Sequence, residues 1–127
     1  MFNPNSAFSG FSVDDLARAK AFYANTLGLT VEESAAGLEL HLPGGSTVFA
    51  YPKNTHQPAT FTIMNFVVDD IDAAVDALAA RGVQFQRYDG IEADEKGIAR
   101  GLASNQGPDI AWFKDPAGNI LAVLQLA

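Results

Sequence analysis

The chain states one pattern twice, and a repeat of this length is the footprint of one supersecondary unit used two times. Phe11, Val13, Asp14, Asp15, Leu16 and Ala19 return 55 positions later as Phe66, Val68, Asp69, Asp70, Ile71 and Ala74. After a one-residue deletion Gly28 is matched by Gly82, and further on Pro43 and Gly45 are matched by Pro116 and Gly118. Whatever fold one half adopts must therefore serve for the other.

The first half reads as β-α-β-β-β. Ala7 to Val13 alternates Phe8, Gly10 and Ser12 on one face with Phe11 and Val13 on the other, as a strand does. Asp14 or Asp15 caps a helix, since a short carboxylate accepts the orphan N–H groups of a first turn. Leu16, Ala19, Phe22, Tyr23 and Leu27 form its buried stripe and Gly28 ends it. Strands are expected at Thr30–Glu33, Leu38–Leu42 and Thr47–Tyr51. The Pro-containing stretch 52–59 then connects the halves, with His56 exposed in it.

The second half repeats the scheme. A strand spans Phe61–Val68, and Asp69 or Asp70 caps a helix with the stripe Ile71, Ala74, Val75 and Leu78. Val83 to Tyr88 resumes as strand after Gly82. The final hairpin, Ile110–Lys114 with Asn119–Leu124, turns through Asp115-Pro116-Ala117-Gly118. Residues 89–108 have no counterpart in the first half. They contain a turn at Asp94-Glu95-Lys96-Gly97 and serve either as a lid or as an irregular surface connection.

At 127 residues the chain fits a single domain, with module one about 5–52, a linker about 53–60 and module two about 61–127. A net charge of −7 without a Lys or Arg cluster argues against nucleic-acid and anionic-membrane partners. The absence of cysteine excludes disulfides, thiolate nucleophiles and Cys-ligated metals. No apolar run reaches the length of a membrane span and no secretory leader is evident, so a cytoplasmic location is expected.

The signatures Val13-Asp14-Asp15-Leu16, Phe22-Tyr23, Leu27-Gly28-Leu29, Val68-Asp69-Asp70-Ile71 and Asp115-Pro116-Ala117-Gly118-Asn119, in that order and duplicated, cover nearly the whole chain. Together they resemble the vicinal oxygen chelate superfamily of glyoxalase I, extradiol dioxygenases and bleomycin- and fosfomycin-resistance proteins. The resemblance implies an α+β fold: two tandem βαβββ modules forming a curved, cup-shaped mixed sheet with helices on the outer face. It further implies a divalent metal in the cup, held from the first and last strand of each half by residues that are often His and Glu. Homodimers are common among such proteins.

Transferred onto this sequence, those four positions are Phe8, Ile63, Phe49 and Ala122. None has a donor atom, so the resemblance's usual metal is not expected and no cofactor is called for. A largely apolar cup remains, lined by Phe8, Phe49, Tyr51 and Ile63, with Asn65 and Ala122 beside them. It is either open to a ligand or filled by its own side chains.

Glu39 and His41 alternate with Leu38, Leu40 and Leu42. A three-residue loop at Pro43-Gly44-Gly45, with Gly45 left-handed, pairs Glu39 with Phe49 and His41 with Thr47 and aims both into the cup. A two-residue loop turns them outward. The first is favoured because the leucines then join Val48 and Ala50 beneath the helix, and the same logic presents Trp112 and Lys114 in the second half. His41 is then a candidate general base with Glu39 orienting it, while a merely solvated polar face is the plain alternative. Two ligands from one strand are too few to define a relocated metal. The paired aspartates and Tyr23 are read as caps and core.

Two functions follow. The first is binding of a small, partly apolar organic molecule without the usual metal. The second is a glyoxalase-type lyase or isomerase acting on a carbonyl compound, either metal-independent or with a displaced metal. A degenerate relative with a structural role is a third.

Overall fold

Asp15 and Asp70, 55 residues apart, do the same job. The Oδ1 of Asp15 accepts the N–H of Arg18 at 3.1 Å and that of Asp70 accepts the N–H of Ala73 at 3.1 Å. Each starts a helix: α1 (Leu16–Ala21) and α2 (Ile71–Ala80). The computed structural model describes all 127 residues. Seven strands accompany the helices: β1 (Ser9–Val13), β2 (Thr30–Glu33), β3 (Leu38–His41), β4 (Thr47–Pro52), β5 (Thr62–Val67), β6 (Asp109–Lys114) and β7 (Ile120–Gln125). This is a mixed α+β structure with two small sheets. The chain divides into two compact units, Met1–Pro58 and Ala59–Ala127.

In the first unit the strand order is β1-β4-β3-β2, with β1 parallel to β4 and the other pairs antiparallel. Leu38, Leu40, Ala50 and Val13 are completely buried, as are Ala19 and Tyr23 to within a per cent. The Tyr23 ring lies 5.8 Å from that of Phe11, so the leucine-bearing face of the sheet is the one the helix covers. After Ala21 the helix widens. The N–H of Leu27 bonds to the carbonyl of Phe22, an i→i+5 spacing over Phe22–Thr26 that the buried stripe alone did not signal.

The loop after β3 closes as expected. Leu42 N–H bonds to Ser46 O across Pro43-Gly44-Gly45, and Gly45 has φ +97°. Glu39 is thus paired with Phe49 and His41 with Thr47. Gly37, at the other end of β3, is pressed against β4: a Cβ there would stand 2.4 Å from the carbonyl oxygen of Ala50.

The second unit repeats this register. Asn65 pairs with Ala122 and Trp112 with Ala122 from the other side, as Gly10 and Glu39 flank Phe49. Its core is Met64, Ile71, Val75, Ile98, Ala111, Phe113, Leu121 and Val123. The turn of the last hairpin is held by Asp115, whose Oδ1 accepts the N–H groups of Ala117 and Asn119, both at 2.9 Å. The Asn119 side chain donates to Asp115 Oδ2 at 3.0 Å.

Two expectations need correction here. The strand over Val83–Tyr88 shrinks to a single bridge, Gln86 with Trp112. The free edge of β6 is shared: Ala99 returns from the long loop and takes the backbone groups of Ile110. Ile63 falls where the pairing of β5 with β7 slips by one residue, between Thr62 and Met64, so it has no partner in the ladder. No helix is long and apolar enough to cross a membrane.

Candidate functional site

The register of the first sheet collects one row of side chains on the face opposite α1. Thr30 pairs with His41 and Glu32 with Glu39, while Glu39 pairs with Phe49. Paired residues share a face, and alternation carries Ser12 and Tyr51 to that face as well. Phe49 anchors an aromatic row, with the Phe8 ring edge-on at 6.5 Å and the Tyr51 ring stacked at 6.4 Å. Phe8 precedes β1 and is 70% exposed, whereas Phe49 is half-buried.

Glu39 and His41 do come together. His41 Nε2 is 3.0 Å from Glu39 Oε1 and 3.4 Å from Glu32 Oε2. Glu32 is the member that sequence reasoning missed. The signal was present: the four residues 34–37 between β2 and β3 close Glu33 onto Leu38, and that closure sets Glu32 opposite Glu39.

His56 departs from expectation. Its Nδ1 lies 2.6 Å from Ser12 Oγ, and the residue is half-buried rather than exposed. The connector is therefore pinned to the end of β1, where Lys53 N–H also bonds to Val13 O. No local pattern links residues 44 apart, so this contact was invisible in the sequence.

In the second unit Asn65 and Lys114 are exposed, Trp112 is half-buried and Ala122 is completely buried. Beside this row is a cavity of about 160 Å³ lined by Phe61, Tyr88, Ile91, Trp112 and Ile120 among others. Tyr88 and Trp112 meet edge to face at 5.6 Å. The Tyr88 hydroxyl is buried and has no hydrogen-bond partner. A buried phenol ordinarily finds one, so this hydroxyl is an exception within its unit. Tyr88, Ile91 and Phe61 had not been singled out, because the bridge at Gln86 and the course of the long loop place them there.

The loop 89–108 is strapped down within its unit. Arg100 bonds to Asp72 at 2.7 Å and to Asp94 and Asp109, and Lys96 bonds to Asp76 and Asp72. Ile98 is fully buried. The Arg100 hydrogen bond to Asp72, with help from Lys96, holds the Asp72 carboxyl below its ordinary value. Burial pushes Asp94 up, but bonds from Ile98 N–H, Arg100 and Lys96 N–H outweigh it and leave it lowered. The expected turn at Asp94–Gly97 is present, with Gly97 N–H bonded to Asp94 O.

With this geometry in place, comparison with known proteins is decisive for the family. The model of the glyoxalase/bleomycin resistance protein/dioxygenase superfamily matches residues 8–123. The chain belongs to that superfamily. Among curated proteins none matches. Several solved structures share the superfamily fold. TnmS3, an antibiotic binding protein from Streptomyces sp. CB03234, is 23% identical with a TM-score of 0.69, over 100% of this chain and 99% of its own. A superfamily member from Sphaerobacter thermophilus DSM 20745 is 22% identical, TM-score 0.69, over 97% of this chain and 98% of its own. The fosfomycin resistance protein FosX from Listeria monocytogenes is 15% identical, TM-score 0.69, over 99% of this chain and 96% of its own.

The superfamily's usual metal does not fit the positions the resemblance designates. Phe49 and Ala122 hold equivalent places in the two registers, flanked by Gly10 and Asn65 respectively, while Phe8 precedes β1 and Ile63 falls at the register shift in β5. A phenyl ring, a methyl and a sec-butyl group offer no lone pair to a cation.

Proposed function

We propose that the chain binds a small, partly apolar organic molecule, with the aromatic cavity beside Trp112 and Ala122 as the seat of its ring system. The observation that carries this is the cavity of about 160 Å³ walled by Phe61, Tyr88, Ile91, Trp112 and Ile120, with Thr60 and Thr62 as its polar groups. Sites of this kind combine apolar lining with a few placed polar groups, and a volume below the roughly 300–1,000 Å³ of drug-sized pockets suits one ring system of a larger ligand. TnmS3, described as antibiotic binding, supports the choice of ligand class. Loss of the superfamily's usual metal is part of the proposal, supported by the carbon-only side chains of Phe8, Phe49, Ile63 and Ala122. So is a cytoplasmic homodimer, whose self-association is supported by the exposed apolar Phe8, Phe61 and Val67.

Trp112 is the single tryptophan, so its fluorescence reports on this cavity alone. Titration with a panel of amphiphilic aromatic antibiotics is expected to give saturable quenching and a raised melting temperature for at least one compound. A panel with neither response, repeated on Lys114→Ala and Asn65→Ala with the same null result, would sink the reading.

A second reading, lyase or isomerase chemistry on a carbonyl compound, is favoured by the 3.0 Å approach of Glu39 to His41. There His41 removes a carbon-bound proton while Glu39 orients the ring, or both hold a displaced metal. Turnover that survives His41→Ala unchanged eliminates it.

A further inference from the structure

We infer that Glu32, Glu39 and His41 form a divalent-cation site on the β2–β3 hairpin, suited to a first-row transition ion such as Zn²⁺ or Co²⁺. The three residues each offer one ligand atom, all within 4.8 Å of one another. The site lies in the Met1–Pro58 unit and uses none of the four residues the superfamily's metal would use.

The state of His41 points to an ion. Its Nε2 is closed off from solvent and makes no hydrogen bond, although carboxylate oxygens stand at 3.0 and 3.4 Å. Those oxygens lie beside the nitrogen rather than along its N–H direction. Hydrogen-bonded partners line up with the donor; ligands sharing an ion do not. Donors about 2.0–2.2 Å from a metal stand about 3.0 Å apart at octahedral angles and about 3.4 Å at tetrahedral ones. The two separations from His41 match neighbouring ligands around one centre, and the exposed Glu32 side chain closes the remaining gap between the carboxylates, which stand within 4.8 Å.

Charge agrees. Glu33, next in sequence, points to the opposite face and is neutralised by Lys20 at 2.9 Å. Glu32 and Glu39 have His41 as their ion-pair partner and no lysine or arginine. Two carboxylates with one neutral imidazole suit zinc and its neighbours rather than calcium, and three protein ligands leave positions for water or a ligand oxygen.

The test loads chelator-treated full-length protein with Co²⁺, whose visible absorption reports its ligands, and counts bound ion by equilibrium dialysis. One ion per chain is expected, with absorption in the visible. His41→Ala should abolish it, and Glu32→Gln and Glu39→Gln should each weaken binding at least tenfold. Both glutamates are well exposed, Glu32 at 69% and Glu39 at 48%, so these isosteric changes leave folding intact and keep the test sound if His41→Ala misfolds. Glu33→Gln and His56→Ala, which replaces the other histidine of the chain, should bind as the parent does. Absent or non-saturable uptake overturns the site. So does uptake indifferent to the Glu32 and Glu39 changes, or uptake lost with His56 rather than His41. Trp112 quenching by organic ligands is measured with chelator present, so the two sites stand or fall separately.

Discussion

Trp112 and Tyr88 meet with their ring planes at 87° and centroids 5.6 Å apart, and the hydroxyl of the tyrosine is sealed in without a partner. Edge-to-face geometry anchors the phenol ring against the indole. An unpaired buried hydroxyl costs about 1–3 kcal/mol in the free protein. Tyr88→Phe should therefore leave stability unchanged or raise it by about 1 kcal/mol, read as a higher denaturant midpoint. Because the hydroxyl is sealed off, the same change should leave ligand affinity by Trp112 fluorescence within about threefold of the parent's. A variant destabilised by about 1 kcal/mol or more would contradict the reading of the hydroxyl as unpaired.

Asp115→Ala removes three acceptor contacts at once from a residue that is 5% exposed. The N–H groups of Ala117 and Asn119 and the buried amide of Asn119 then lose their partner. Bonds to an ionised acceptor contribute about 1.5–3 kcal/mol each, with overlap. A loss of about 2–4 kcal/mol in urea unfolding is expected.

Gly37→Ala drives a methyl to 2.4 Å from the Ala50 carbonyl oxygen and 3.0 Å from the Phe49 ring, at a backbone φ of +155°. Overpacking and strain together should cost about 2–4 kcal/mol. Because Phe49 and Glu39 are paired, the displaced strand should also weaken Co²⁺ uptake. By contrast Gly44→Ala meets nothing within 4 Å and carries only the strain of its φ of +96°, so it should weaken uptake less than Gly37→Ala.

The strap on the long loop predicts a pH signature. Asp72 and Asp94 are held below their ordinary values, so their stabilisation is complete above the unfolded value of about 4 and disappears as pH falls through the lower folded one. Lys96 is raised, chiefly by its bond to Asp76, so its share is present below about 10.4 and disappears as pH climbs through the higher folded value. Carboxyl ¹³C titration should place the Asp72 midpoint below 3.8 and bring it up toward that value in Arg100→Gln. The effect on overall stability should be small and salt-sensitive, since these groups are exposed.

Much of the architecture was legible because it is locally encoded. A carboxylate two or three residues past each first strand caps a helix wherever the chain goes next, and Asp15 and Asp70 do so. Loop length and left-handed Gly45 dictate how β3 meets β4, so Glu39 opposite Phe49 could be read without coordinates. The i→i+5 widening at Phe22–Thr26 and the loss of most of the strand after Gly82 could not. The first depends on how Tyr23 packs under the sheet, and the second on Ala99 competing for the edge of β6.

From its residues alone the chain determined the duplicated βα units, the hairpin registers, the superfamily and the carbon-only side chains at four designated positions. Those features rest on contacts between near neighbours or on a repeat visible by inspection. Tertiary structure alone decided that Ser12 holds His56, that the long loop is tied by Arg100, and that Tyr88 closes on Trp112 with its hydroxyl unmet. Each of these joins residues far apart in the chain, where side-chain chemistry permits many partners and only packing selects one.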